Sequence, residues 1–130
     1  MPTVEAFVRR VEDVEPQSWN DRRGRLSFQT LVSGDTTPSD SLVAGISIVE
    51  AGGVLALHSH AQAEIYFVLE GAGLVTIDDV EHKVSSGATL FIPGDARHCV
   101  RNPFEATFRF FYVFAANRFD DIRYNFVDSA

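Results

Sequence analysis

A single cysteine, Cys99, leaves the chain without any intrachain disulfide and points to a reducing, cytoplasmic setting. No apolar run approaches the ~20 residues that span a bilayer, and the N-terminus lacks the apolar stretch of a signal peptide. A membrane is therefore not an expected partner. Basic residues are scarce as well: 11 Lys and Arg stand against 18 Asp and Glu, and the resulting charge of −7 opposes binding to nucleic acid or an anionic surface. There is no low-complexity tract and no repeat at fixed spacing. After Arg25 no run of about eleven residues holds a 3.6-residue period, which excludes long amphipathic helices.

What is present is apolar mass in short pieces. Hydrophobic residues make up 45% of 130 residues and phenylalanine occurs 11 times, enough for one core and too little chain for two. Apolar runs fall at 26–32, 42–49, 54–60, 65–69, 74–77, 89–92, 98–100 and 107–114, separated by Gly, Pro, Asp and Ser. That rhythm predicts an all-β sandwich or barrel in one domain over 1–130. Ahead of it lies a charged lead-in, 1–24, whose short apolar set (Val4, Phe7, Val8, Val11) can form an edge strand or one helical turn. The runs 65–69 and 108–114 are apolar at nearly every position, whereas a strand with one wet face alternates. Both of their faces are expected to be buried, the outer one under a second sheet of the same chain or against another copy in a homodimer.

Chemistry gathers around two histidines. His58 and His60 are separated by one residue, so on a strand both imidazoles share a face, and Glu64 follows four residues later across a short connection. His98, after the turn Pro93-Gly94-Asp95-Ala96-Arg97, can be delivered to the same interior point by a neighbouring strand of a barrel. Three imidazoles and a carboxylate make a nitrogen–oxygen ligand set suited to one divalent ion of Fe, Mn, Ni, Co or Zn. By contrast, His82 sits in a polar hairpin and reads as a solvated surface residue, and Cys99, adjoining His98, points away from the metal as a buried structural thiol. Arg109, within an apolar strand, either pairs with a carboxylate or lies at a rim.

With these residues in view the chain resembles the cupins, small double-stranded β-helix barrels of jelly-roll type. Gly52, His58, His60, Glu64 and Gly71 fit every position of the family's first motif, over 52–71, and Gly87, Pro93, His98 and Asn102 fit the second, over 87–102. Asp95 stands where the family has a turn glycine, and Asp is among the few residues that tolerate a left-handed backbone. The chain is further similar to the short single-domain cupins that act as dimethylsulfoniopropionate lyases, through Glu64-Ile65-Tyr66 and Asn117-Arg118-Phe119-Asp120-Asp121-Ile122-Arg123-Tyr124 in the tail 115–130. That likeness implies that Tyr66 and Tyr124 line the site as catalytic tyrosines. On the residues alone, Tyr66 shares a strand face with Glu64 and is either a site residue or a core aromatic, while Tyr124 either covers the barrel mouth or packs outside.

Several functions fit this ligand set. With neutral histidines and an ionised Glu64 the first shell carries about +1 around a divalent ion, which suits a small anionic guest such as a carboxylate or enolate. In an elimination the metal acidifies the carbon next to the carboxylate and Tyr66 or Tyr124 removes its proton. In an Fe(II)-dependent dioxygenase, substrate and dioxygen occupy two open positions. A non-catalytic binding module holding a metabolite through the metal, or a barrel merely braced by it, needs no base at all.

Overall fold

A computed structural model of the chain describes residues 4–127; the first three residues of the lead-in and the last three of the tail lie outside the described residues. Eleven strands are present among them: β1 (Gln17–Asp21), β2 (Gly24–Val32), β3 (Val43–Val49), β4 (Val54–Ser59), β5 (Glu64–Glu70), β6 (Ala72–Ile77), β7 (Val80–Ser85), β8 (Thr89–Ile92), β9 (His98–Arg101), β10 (Phe108–Phe114) and β11 (Asn125–Phe126). The only helical pieces among the described residues are the single 3-10 turns Val11–Asp13 and Phe119–Asp121, and no helix is long and apolar enough to cross a membrane. The strands pair antiparallel in the order β7-β6-β9-β4-β2-β3-β10-β5-β8, with β1 added to β2 and β11 to β4, as one curled sheet around a core. The all-β barrel expected from the rhythm of apolar runs is what forms.

Alternation along the strands sets the inside. On β10, Phe108, Phe110, Tyr112 and Phe114 are buried, and on β5 so are Glu64, Tyr66 and Val68. Within the single chain the outward residues of β5 are left uncovered, whereas those of β10 are half-buried. Ile65, Phe67 and Leu69 are 43%, 40% and 39% exposed, and Phe91 on adjacent β8 is 64% exposed. Within one chain no second sheet covers this face among the described residues, because every strand is already committed to the same curled sheet.

Turns and caps then bring distant segments together. Asp78 and Asp79 both take positive φ, 46° and 69°, the geometry of a two-residue hairpin between β6 and β7. At the junction of β5 and β6, Gly71 has φ 76°, and a Cβ there would collide with the carbonyl oxygen of Thr107. Asn102 is fully buried and works as a clamp: its Nδ2 donates to the carbonyls of Val49 (2.9 Å) and Ala106 (2.8 Å), and its Oδ1 accepts from the Phe104 amide at 2.9 Å. Its backbone exchanges bonds with Gly52 and Gly53, tying the start of the first motif to the end of the second. In the lead-in, Gln29 Nε2 donates to the carbonyls of Val11 and Val14 and holds the first 3-10 turn against the barrel.

Candidate metal centre

Three strands and the connection after β4 build the ligand cluster. Along β4 the pairing with β9 runs Leu55↔Val100 and then His58↔His98, so three steps on β4 match two on β9. This β-bulge resets the alternation: Leu55 faces in, and after the extra residue it is His58 and His60, not Leu57 and Ser59, that face in. Glu64 opens β5 on its inner face. His98 opens β9 directly opposite His58, with ring centroids 4.1 Å apart. The turn before it is fixed to the first motif by the Asp95 amide, which donates to the His60 carbonyl at 2.8 Å, and Asp95 adopts the left-handed conformation, φ 66°.

All four side chains are buried. Each imidazole gives its Nδ1 to a main-chain carbonyl within two residues: His58 to Ala56 (2.7 Å), His60 to Gln62 (2.9 Å) and His98 to Ala96 (2.9 Å). A carbonyl can only accept, so Nδ1 carries the hydrogen, and in the neutral ring the lone pair is on Nε2. Burial, with His98 beside it, holds the His58 imidazole down to about 3, so this ring is neutral across the physiological range. The ligand atoms of the three histidines lie within 4.8 Å of one another. Glu64 Oε1 stands 3.2 Å from His60 Nε2 and 3.3 Å from His98 Nε2, at the edge of that triangle.

No hydrogen-bond partner among the described residues reaches any of the three Nε2 atoms or Glu64 Oε1. Four buried acceptors without a donor would cost about 1–3 kcal/mol each if left so. A divalent cation at the three histidine nitrogens, with Glu64 beside it, would satisfy them, and three imidazoles plus a carboxylate is a donor set such ions accept. The residues fit a metal.

Beside the cluster, reaching it at Glu64, lies an aromatic cavity. Tyr66, Tyr112 and Tyr124, the three tyrosines of the chain, line it together with Trp19, Phe28, Phe114, Phe119 and Glu64. Tyr66 lies on the inner face of β5, its ring centroid 6.3 Å from that of His98. Tyr124 does not pack on the outside: its ring stacks on His58 at 4.9 Å and meets His60 edge-on at 5.3 Å, over the barrel mouth. Burial and then the nearby Glu64 push both phenols well above the ordinary tyrosine value. Tyr112, opposite Tyr66 across β10 and β5, is pushed up to about 12 by burial, against the lowering effect of its contact with Thr30 at 3.3 Å.

Other expectations settle elsewhere. Arg109 faces outward, 3.9 Å from Glu70, and does not line the cavity. Cys99 is half-buried rather than buried, on the face of β9 opposite to His98. His82 is exposed on β7. Trp19 and Tyr112 were not singled out by the sequence. Trp19 had one available signal, an isolated large apolar residue between polar neighbours, and Tyr112 shares its parity with Phe110 and Phe114.

A curled antiparallel barrel carrying three inward histidines and a glutamate defines a cupin with a metal-binding-capable centre. The cupin domain matches residues 45–114, and the chain belongs to the cupin family. It is 41% identical over 108 residues to the dimethylsulfoniopropionate lyase DddW of Ruegeria pomeroyi, covering 82% of this chain and 70% of that protein. It is 34% identical over 103 residues to protein SchB of Streptomyces halstedii, covering 78% and 72%. In fold it is similar to the polyketide cyclase RemF of Streptomyces resistomycificus (TM-score 0.82, 20% identity, 97% and 88% covered). A cupin-2 domain from Rhodospirillum rubrum gives a TM-score of 0.77 at 20% identity, with 99% and 84% covered.

Proposed function

We propose that this cupin is a metal-dependent lyase that eliminates a leaving group from the β-carbon of a small carboxylate, with dimethylsulfoniopropionate as the candidate substrate. The observation that carries the reading is the cavity itself: its wall has aromatic faces and one carboxylate, Glu64, and neither Lys nor Arg. A substrate carboxylate would therefore find its positive partner only at the centre held by His58, His60, Glu64 and His98. A sulfonium cation would find the aromatic faces that stabilise such charges. The likeness to the Ruegeria enzyme, at 41% identity, supports the same choice.

A divalent metal held by these four residues would supply Lewis acidity toward the substrate carboxylate. Tyr66 is the residue assigned to take the proton from the carbon next to that carboxylate. As that C–H bond breaks, its electron pair forms the new double bond and the C–S pair leaves with sulfur, giving acrylate and dimethyl sulfide. Because burial and Glu64 raise Tyr66, its phenol is protonated at neutral pH until positive charge enters the cavity. Tyr124 closes the wall and excludes water. The test is release of acrylate from dimethylsulfoniopropionate by protein loaded in turn with Fe(II), Mn(II), Ni(II), Co(II) and Zn(II). Activity with at least one metal is expected, and none with any would overturn the reading. Dioxygen uptake by the Fe(II) form would instead mark an oxygenase.

The open face of β5 and β8 fits a second copy of the chain. Ile65, Phe67, Leu69 and Phe91 would then be buried in a homodimer. Light scattering is expected to give a particle of twice the 14.4 kDa chain mass. Phe67→Lys, which places a charge in that contact, should shift it to the single-chain mass; a wild-type monomer at micromolar concentration would overturn the dimer.

A further inference from the structure

The inner cavity is nearly shut. Its free space is about 20 Å³ for the centre of a water molecule, room for roughly one water. Outside it lies an open groove of about 780 Å³. The two share three lining residues, Trp19, Phe119 and Tyr124, which form the partition between them. Trp19 comes from β1 and meets Tyr124 edge-on at 5.6 Å, with the Arg23 guanidinium over its ring at 4.5 Å. The other two come from the tail.

The tail is fixed unevenly. Toward the start of it the Gly34 amide donates to the Asn117 carbonyl and the Ser41 amide to Asn117 Oδ1, both at 2.8 Å. The Phe119 amide donates to Ser33 Oγ at 2.9 Å, Arg118 pairs with Asp121, and Ile122 is buried in the core. From Arg123 to Val127 the backbone ties among the described residues are few: the two-residue pairing of β11 with β4 and the bond from the Val127 amide to the Leu57 carbonyl at 3.0 Å. That loosely tied piece carries Tyr124 and Phe126, whose rings stack on each other at 5.8 Å above His58.

We propose that residues 123–127 are a gate leaf hinged at Ile122, whose release from β4 swings Tyr124 off His58 and joins the outer groove to the ligand cluster. Residues 117–122 stay docked as the frame, and Trp19 is the post against which the leaf closes. Segments held by few backbone bonds open at the lowest cost, and this one blocks the way to the cluster. The gate gives the proposed lyase its route of entry, but it also governs passage of the ion itself, so it can be tested without any substrate.

The measurement is the rate at which excess chelator strips zinc from the loaded protein, in a Cys99→Ser background. Ser59 and Asn125 are register partners on β4 and β11, at a spacing that accepts a disulfide. In Ser59→Cys/Asn125→Cys the oxidised form is expected to lose zinc at least about tenfold more slowly than the same protein after reduction. Phe126→Ala, which removes the ring stacked on Tyr124, should release it about tenfold faster than the parent and needs no cross-link. Equal rates before and after reduction, or an unchanged rate in Phe126→Ala, would overturn the gate. Failure of the acrylate assay alongside a cross-link-dependent release rate would sink the lyase reading and leave the gate standing.

Discussion

His98→Ala is expected to emerge from purification with little or no divalent metal where the wild type holds one ion per chain. The imidazole removed is one of three whose ligand atoms lie within 4.8 Å of one another, its Nε2 stands 3.3 Å from Glu64 Oε1, and each ring is aimed by its own main-chain bond. Loss of a partner one bond further from the ion typically costs 10–100-fold in affinity, so loss of a ligand should cost at least about 100-fold. Mass spectrometry of native protein measures the content directly, and occupancy equal to wild type would remove His98 from the ligand set. A second readout follows from linkage. An ion that binds only the folded chain stabilises it, so chelator should lower the melting temperature of the wild type and leave that of His98→Ala almost unmoved.

Tyr66→Phe should keep metal and fold while lowering acrylate formation by about 10²-fold or more. The ring fills the same space on the inner face of β5, packed on Phe110 at 4.2 Å, and only the hydroxyl is lost. The sign of the pH dependence separates a base from a wall. Burial and Glu64 hold the phenol above its ordinary value, so the fraction able to accept a proton grows as pH rises, and wild-type kcat/KM should climb toward alkaline pH. In Tyr66→Phe that climb should vanish. If the variant keeps wild-type turnover with the same alkaline limb, the base is another group, and Tyr124 becomes the next residue to replace.

Much of this barrel is written locally. The runs at 26–32, 42–49, 65–69 and 108–114 become β2, β3, β5 and β10 because branched and aromatic side chains repeat along them between turn residues. The left-handed turn at Asp95 was implied by the turn glycine that the cupin motif has at this position, and Asp is among the few residue types that accept that backbone. Three elements were not legible. β1 reads Gln-Ser-Trp-Asn-Asp and β11 is two residues long, so their strand character comes from the edges of β2 and β4 that they complete. β7 is largely exposed and polar, and pairs only with β6. The contact of Tyr124 with His58 was not legible from local preference, although the likeness to the lyases implied a place for Tyr124 at the site, because the two residues stand 66 positions apart in the chain. Local preference says nothing about such a contact.

The bulge on β4 has a consequence for how the two histidines can be lost. Their inward aim depends on the bulge, because Ala56 and Leu57 set His58 three steps, an odd count, from the inward Leu55. Replacing either leaves the count intact. Deleting one would make the count two, and plain alternation would then carry both imidazoles to the inside without a bulge. The ligand pair is thus lost when the bulge flattens at an unchanged count, and a chain in which the motif reads intact can have lost its centre.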